Sequence, residues 1–93
     1  MRFAYKKSYL KAFDQADAAL QHMILQTDKE IKDYLESGRA VYGLRIKKIG
    51  KRSYEGRVSD KVRIVWVKAD DLVVFSMVGN HQEVQAYLSH FEK

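Results

Sequence analysis

The sequence predicts an α+β fold, in which an N-terminal helical hairpin packs on a three- to four-stranded antiparallel sheet and a C-terminal helix follows. Three observations lead to this prediction. Apolar residues recur every three or four positions between Leu20 and Leu35, which is helical spacing. After Gly38 the spacing changes to two, which is strand spacing. Short turns then separate the strands, which favours antiparallel pairing, and the 93 residues are expected to form one domain over residues 1–93.

The N-terminal segment is predicted to contain a strand and a short helix. Residues 2–6 alternate so that Phe3 and Tyr5 fall on one face, as in a strand. Ser8 is a residue type that often precedes the first helical turn. We therefore expect Ser8 to cap a helix that runs to about Gln15.

A longer helix is predicted between Asp17 and Gly38. Its apolar stripe, which Met23 and Tyr34 flank, consists of Leu20, Ile24, Thr27, Ile31 and Leu35. Gly38 stands where helices commonly end in a left-handed residue. Because such a stripe requires a cover, we interpret the two helices as a hairpin that lies on a sheet.

The second half of the chain is predicted to form that sheet. Apolar and basic residues alternate from Leu44 to Ile49, which allows an additional strand near residue 45. Three further strands, joined by short turns, are predicted over residues 54–59, 62–68 and 72–78. The last of these strands is almost continuously apolar, so we expect it near the centre of the sheet.

The chain is predicted to close with a helix over residues 81–90. Gly79 and Asn80 interrupt the preceding apolar strand, and Val84, Leu88 and Phe91 then share one helical face. Tyr87 falls within this helix, where it either packs on the sheet or reaches toward His81.

Basic residues are concentrated on the predicted strands. Residues 39–63 contain nine of the 17 Lys and Arg residues but only two of the 12 Asp and Glu residues, for a net charge of +7. The rest of the chain sums to −2. Such a basic surface favours a polyanionic partner, because binding to phosphates releases condensed counterions.

Arg63 is an isolated charge in a strongly apolar predicted strand. It snorkels at a sheet edge, or pairs with Asp60 or Asp71, or works with Arg57 on the preceding strand. Two guanidinium groups on adjacent strands suit the clamping of one phosphate. The residues that would extend this cationic surface are Arg45, Lys47, Lys48, Lys51 and Arg52.

His81 is the titratable residue best suited to proton transfer, because imidazole titrates near neutral pH and His81 follows the end of a strand. The alternative is an exposed histidine at a helix start. His22 and His90 lie within predicted helices, where a structural or solvated role is expected. The histidines are too widely spaced for a zinc motif and the chain has no cysteine, so we expect no metal or other cofactor.

Several classes of protein are disfavoured by the absence of their motifs. The chain has no glycine-rich phosphate-binding loop and no Gly-x-Ser-x-Gly elbow, which argues against nucleotide hydrolysis and acyl transfer. Residues 1–7 do not resemble a signal peptide, and no apolar run approaches the roughly 20 residues of a membrane span. We therefore expect a cytoplasmic protein without a membrane partner.

Three segments resemble the RelE/ParE superfamily of toxins from bacterial type II toxin–antitoxin systems. They are residues 44–49 (LRIKKI), 54–66 (YEGRVSDKVRIVW) and 73–81 (VVFSMVGNH). The resemblance extends over nearly the whole chain, including the helical hairpin. It implies a RelE-like α+β fold and a cognate antitoxin that masks the basic face.

The resemblance implies one of three functions. RelE-like members enter the ribosomal A site and cut mRNA, through attack of a ribose 2′-hydroxyl on the neighbouring phosphate. ParE-like members share the fold but poison DNA gyrase and cleave no RNA, and fold alone does not choose between them. The expected function is the ribosome-dependent mRNA endonuclease, with ribosome and mRNA as partners. The alternatives are a gyrase inhibitor and an inactive homologue that only binds antitoxin and operator.

The resemblance also implies roles for individual residues. Arg63 matches the arginine of the family that contacts the scissile phosphate, and Arg57 falls where a basic strand residue is usual. His81 falls where members vary between arginine and histidine, and is implied as general acid or base. The basic residues already grouped around Arg63 are implied to bind RNA or the ribosome.

Two positions depart from the pattern of the family. Glu55 stands near a position where RelE proper has lysine. Tyr87 corresponds by counting to the catalytic tyrosine in the C-terminal segment of RelE. Alignment on Glu83 and Val84 places Gln85 there instead.

Overall fold

The computed structural model describes residues 1–91, in which three helices and five strands form one α+β unit. The elements, in chain order, are β1 (Arg2–Tyr5), α1 (Lys7–Gln15), α2 (Ala18–Ser37), β2 (Lys47–Lys48), β3 (Ser53–Arg57), β4 (Arg63–Ala69), β5 (Leu72–Gly79) and α3 (His81–Phe91). The predicted fold class is confirmed. None of the helices among residues 1–91 has the length and apolar character needed to cross a membrane.

The strands form one sheet in the order β1-β5-β4-β3-β2. The sheet has five strands rather than the predicted three or four, because the predicted N-terminal strand joins it and a two-residue strand, Lys47–Lys48, forms close to the additional strand allowed near residue 45. β2 to β5 pair antiparallel, whereas β1 pairs parallel with β5. A parallel partner is feasible for β1 because the helical hairpin and three strands separate it from β5, so no tight turn sets its direction.

The helical hairpin covers one face of the sheet. Ile24 and Ile31 of α2 are almost fully buried with Trp66 and Phe75 of the sheet, which confirms the predicted stripe. Burial of side chains of this size stabilises a fold by about 1.5–3 kcal/mol each.

The two ends of α2 are capped by residues of the expected types. The backbone N–H of Leu20 donates to Asp17 Oδ1 at 2.8 Å. Gly38 has a φ of 79° and donates its N–H to the Tyr34 carbonyl at 2.7 Å. A residue with a Cβ would be strained in this left-handed conformation, which explains the glycine.

The predicted N-cap of α1 is wrong. The N-cap is Lys6, two residues earlier than predicted, and its side chain makes no capping hydrogen bond. The Ser8 hydroxyl instead donates to the Ser76 carbonyl. Ser76 lies at an irregularity in the pairing of β4 with β5, where Val65 is opposite Met77 and the next pair is Trp66 with Phe75. The bulge leaves Ser76 outside the regular ladder, so its carbonyl can accept from a helix side chain.

The opposite face of the sheet is only partly covered. Val84 of α3 is buried against Val65 and Met77, and these three residues form a second, smaller apolar cluster. Asn80 and Glu83 cap α3 reciprocally, since each backbone N–H donates to the side chain of the other at 2.8 Å. The part of this face that belongs to β3 and β2 carries charged residues.

Candidate functional site

A cationic depression of about 370 Å³ lies on the face of the sheet that α3 covers only in part. Its lining residues are Arg45, Ile46, Lys47, Glu55, Arg57 and Arg63. Strand alternation explains the composition, because Glu55, Arg57 and Arg63 lie on the same face as Val65. The depression therefore combines four cations with one carboxylate.

The strand register places one pair of like charges and one pair of opposite charges directly across from each other. Arg57 is the partner of Arg63 across β3 and β4, and Lys47 is the partner of Glu55 across β2 and β3. Directly opposite side chains have Cβ atoms about 4.5–5.5 Å apart, and like charges at that separation destabilise a sheet. An arginine pair in this position is consistent with a site that binds an anion.

Arg63 is held by its own strand and turn. Its Nη1 donates to the carbonyls of Ser59 at 2.7 Å and Asp60 at 3.0 Å. Its Nε lies 3.6 Å from Glu55 Oε2, and its side chain is only 14% exposed. Of the two acidic partners expected from the sequence, Asp60 contributes a carbonyl rather than its carboxylate, and the ion pair is with Glu55.

Arg57 keeps unused hydrogen-bonding capacity. Its Nε is buried without a hydrogen-bond partner among the described residues. Its Nη1 lies 3.9 Å from an Asp60 carboxylate that is almost completely exposed, so solvent weakens this ion pair. A buried donor without a partner is costly, so the Arg57 side chain gains from any shift that brings this group to a hydrogen-bond acceptor.

The segment before β2 forms one wall of the depression. Arg45 is exposed and has a φ of 49°, a left-handed conformation that costs a non-glycine residue roughly 1–2 kcal/mol. The adjacent Leu44 is buried, and its carbonyl accepts the Arg57 N–H at 2.7 Å. The segment that carries Arg45 is thereby fixed to the end of β3.

The remaining basic residues predicted to bind RNA do not all lie on this surface. Lys47 lines the cationic depression. Lys48 points to the other face of the sheet, where it lines a separate depression with Trp66 and Lys68. Lys51 and Arg52 lie in the turn between β2 and β3 and are exposed. The alternation of side chains along β2 divides the basic strip between two faces.

His81 is the first residue of α3 and is exposed. It follows Gly79, the register partner of Arg63, by two residues, so His81 lies at the same end of the sheet as Arg63. A Cβ at Gly79 would lie 2.8 Å from Met77 Cε and 2.9 Å from Glu83 Cβ. Glycine is therefore required where the chain turns from β5 toward His81.

Tyr87 lies in a different depression, between α1 and α3. It packs on the apolar cluster of Val65, Met77 and Val84, and its ring centroid lies 4.9 Å from that of Phe91. Tyr87 was expected either to pack on the sheet or to reach toward His81, and in the structure it packs on the sheet. The alternative residue Gln85 is exposed.

The other two histidines are exposed residues of helices. His90 lines the same depression as Tyr87, and His22 of α2 lines a depression that also includes Arg57. Within residues 1–91, no group of three or more His, Asp or Glu side chains is arranged to hold a metal ion.

Glu55 is the site residue whose role the sequence interpretation missed. It was noted only as a departure from a lysine of the family, yet it forms the ion pair with Arg63. Its spacing of two from Arg57 on one strand was the available signal, since that spacing places both side chains on one face.

A second polar cluster joins β1 to the helical hairpin. Tyr5 and Tyr9 donate their hydroxyls to Asp28 Oδ2 at 2.7 and 3.1 Å. Lys32 Nζ donates to the Tyr5 oxygen at 2.6 Å and lies 3.0 Å from Asp28 Oδ1. The groups satisfy one another at the edge of the core, which indicates a structural role.

The pKa values of this cluster follow from burial and from the Asp28 charge. Burial, the hydrogen bond to Asp28 and its charge raise the pKa of Tyr5, and burial and the charge of Asp28 raise that of Tyr9 strongly. Burial alone would lower the pKa of Lys32. Its hydrogen bonds to Tyr5 and Asp28 and the Asp28 charge outweigh burial, so its pKa is raised.

Comparison with known proteins gives matches at the level of structure. No protein-family model matches the chain, and no curated protein matches its sequence. A copper-bound mutant toxin from Helicobacter pylori is 18% identical with a TM-score of 0.67, over 90% of this chain and 98% of that one. The DinJ–YafQ complex of E. coli gives 16% identity and a TM-score of 0.67 over the same shares.

A third similar structure is also a complex of two proteins. The RelB–RelE antitoxin–toxin complex of Methanococcus jannaschii is 20% identical with a TM-score of 0.63, over 90% of this chain and 96% of that chain. The expected RelE-like fold is therefore confirmed: this chain has the fold of the RelE-like toxins.

Proposed function

We propose that this chain is the toxin of a type II toxin–antitoxin system and that it cuts mRNA on the ribosome. The observation that carries the proposal is the cationic depression, in which Arg57 and Arg63 stand opposite each other on a RelE-like fold. A pair of guanidinium groups can contact the two non-bridging oxygens of one phosphate. We propose that this phosphate is the scissile one.

The chemistry requires no cofactor. The 2′-oxygen of a ribose attacks the adjacent phosphorus, the bond from phosphorus to the 5′-oxygen breaks, and a 2′,3′-cyclic phosphate and a 5′-hydroxyl result. One group must accept the 2′-hydroxyl proton and another must donate a proton to the leaving oxygen. Charge that develops on the phosphate oxygens is stabilised by fixed cations.

Arg63 and Arg57 suit different parts of this task. The carbonyl contacts of Arg63 fix its guanidinium before substrate binds, which avoids reorganisation in the transition state. Arg57 is 31% exposed and its Nη1 makes only a long, solvent-weakened ion pair with Asp60, so the end of this side chain can turn to donate to an incoming oxygen. Lys47 and Arg45 add positive charge that attracts the RNA backbone.

His81 is the proposed proton-transfer residue. It is exposed at the end of the sheet where Arg63 and Gly79 are paired, so a substrate held at Arg63 extends near the imidazole. Imidazole can accept or donate a proton near neutral pH. Tyr87 lines a separate depression, so its proposed catalytic role requires a substrate that extends across α3.

The proposed partners are the ribosome, mRNA and an antitoxin. Residues 39–63 carry a net charge of +7, which suits a surface made of ribosomal RNA. Two of the similar structures are complexes of a toxin with its antitoxin. We propose that a cognate antitoxin covers the cationic depression of this chain in the cytoplasm.

The test is to induce the chain without its partner and map breaks in an abundant translated message by primer extension. The proposal expects growth arrest with cuts confined to the translated frame. Arg57→Ala and Arg63→Ala should strongly reduce the cuts. Lys68→Ala is the matched control, because it removes a cation from β4 outside the cationic depression. Cuts in untranslated regions would contradict ribosome dependence.

The alternative is a gyrase inhibitor of the ParE type. It is favoured by the contacts of Arg63, whose donors are largely engaged by its own turn and by Glu55. Growth arrest without RNA cuts, unchanged by His81→Ala, would support this alternative. The absence of growth arrest would instead favour an inactive homologue that retains only antitoxin and operator binding.

A further inference from the structure

Tyr42 is the most exposed of the large hydrophobic side chains among the described residues, with its full surface open to solvent (103%). It borders a depression of about 350 Å³ on the α2 side of the cationic depression. We call this the Tyr42 depression, and its polar lining includes His22, Gln26, Glu30 and Arg57. An aromatic ring so exposed adds no stability to the core and is open to contact by a partner.

The ring is carried by an anchored turn. Gly43 has a φ of 91°, which permits the tight reversal after Tyr42. The Leu44 N–H donates to the Val41 carbonyl at 3.2 Å, the Leu44 side chain is buried, and its carbonyl accepts the Arg57 N–H. Fixing the turn in advance lowers the entropy that a binding partner must overcome.

Arg57 connects the Tyr42 depression to the cationic depression, because it lines both. A nucleotide chain matches these two neighbouring depressions, because each of its charged phosphates is adjacent to a flat base. Proteins that bind single-stranded nucleic acid combine a cationic groove with aromatic rings on which bases stack. Arg57 and Tyr42 provide one of each, side by side.

We propose that Tyr42 is a stacking platform for an unpaired base of single-stranded RNA whose phosphate is held at Arg57. This inference rests on the proposed function and names a further part of its substrate site. A base in a duplex is already stacked and paired, so the platform selects single strands. Stacking also tolerates different bases, because every base has a π-face.

The test is the binding of a fluorescein-labelled single strand of about ten nucleotides to the purified full chain, measured by anisotropy. The strand carries 2′-O-methyl groups, so it cannot be cut by attack of its own 2′-oxygen. Tyr42→Ala should weaken binding by about fivefold to about a hundredfold, which corresponds to the loss of one stacked base. Tyr42→Phe should retain the wild-type affinity, because the ring remains.

Phe91→Ala is the matched control, because Phe91 is another exposed aromatic residue and lines a separate depression. It should leave binding unchanged. A second readout is the salt dependence of binding. Tyr42→Ala should leave its slope unchanged, whereas Arg57→Ala should reduce it by about one.

Three results would overturn the platform. Wild-type affinity in Tyr42→Ala would show that no base stacks on this ring. The ring would then be expected to contact a protein partner, such as the antitoxin. An equal loss in Tyr42→Phe would assign the effect to the hydroxyl. Failure of the wild-type chain to bind the single strand at low salt would also overturn it. None of these results decides the proposed function, which depends on cuts in translated messages.

Discussion

Arg57 and Arg63 are directly opposite each other on β3 and β4, yet their side chains are held to different extents by neighbouring groups. Arg63 donates to two turn carbonyls and pairs with Glu55, whereas the Nε of Arg57 has no partner within residues 1–91. The pair therefore combines a fixed cation with one that retains a donor for a ligand.

Removing either arginine should strongly reduce RNA cleavage, but the two losses should affect folding to different extents. Arg63→Ala removes charged hydrogen bonds to the Ser59–Lys61 turn and should lower the free energy of unfolding by about 1.5–3 kcal/mol. Arg57→Ala loses only a solvent-weakened ion pair and should cost less than about 1 kcal/mol. Urea unfolding of both variants measures the difference.

The catalytic contribution of Arg63 is separable from this loss of stability. If Arg63 stabilises the charge that develops on the phosphate, its removal should raise the activation barrier by about 2–4 kcal/mol. Primer extension under conditions where the variant remains folded gives this value. Equal stability of Arg57→Ala and Arg63→Ala would contradict the role assigned to the turn contacts.

Glu55→Gln should strengthen RNA binding. The Glu55 carboxylate lies 3.6 Å from Arg63 Nε and is the single acid that lines the cationic depression. Neutralising it removes repulsion of the phosphate and leaves an amide of the same size, so affinity should rise by up to about fivefold. Anisotropy with the single-stranded probe measures the change, and Glu36→Gln, at an exposed acid of α2, is the control. Weaker binding would indicate that Glu55 is needed to orient Arg63.

The stability of the protein should fall at alkaline pH. Tyr9 has a pKa raised above its ordinary value of 10.0, and that of Lys32 is raised above 10.5. At any pH between these ordinary pKa values and the higher pKa values of the folded state, the folded protein binds more protons than the unfolded chain. Stability is therefore fully present below about pH 10 and is lost as pH rises further.

Urea unfolding at a series of pH values from neutral to alkaline tests this expectation. Tyr9→Phe should flatten the alkaline decrease, because the buried phenol that resists ionisation is removed. Tyr34→Phe is the control, since Tyr34 is a partly buried tyrosine of α2 outside the cluster of Tyr5, Tyr9, Asp28 and Lys32. An unchanged pH dependence in Tyr9→Phe would show that other groups cause the decrease.

The sequence predicted the elements of the fold better than the contacts within the site. The spacing of apolar residues identified α2 and the succession of strands along the chain, because burial repeats with the period of each element. It also placed Arg57 opposite Arg63, since a tight turn fixes the register of a hairpin. The role of Ser8 was wrong because a tertiary acceptor, the Ser76 carbonyl, lies 68 residues away in the chain.

The assignments of individual basic residues were limited for a related reason. Counting charge treats residues 39–63 as one strip, but the alternation along β2 places Lys47 and Lys48 on opposite faces. The partner of Arg63 depended on which acid the register brought near it, and that was Glu55 rather than the carboxylate of Asp60 or Asp71. Such choices depend on side-chain geometry that a local pattern does not contain.

Gly79→Ala should impair both folding and the placement of His81. A Cβ at this position would lie 2.8 Å from Met77 Cε and 2.9 Å from Glu83 Cβ, and Glu83 caps α3 through Asn80. Relief of the overlap must shift the start of α3, at a cost of about 1–3 kcal/mol. Because His81 is the first residue of that helix, cleavage should fall by more than the loss of folded protein explains.

Gly38→Ala is the matched control for this substitution. Gly38, unlike Gly79, has a left-handed backbone, and a Cβ there would meet no atom within 4 Å. Its cost should be limited to backbone strain of about 1–2 kcal/mol, and cleavage per folded molecule should stay at the wild-type level. Urea unfolding and primer extension on both variants separate the two effects. If Gly79→Ala keeps wild-type cleavage per folded molecule, the start of α3 does not position His81 for the reaction, and the proton-transfer role must belong to another residue.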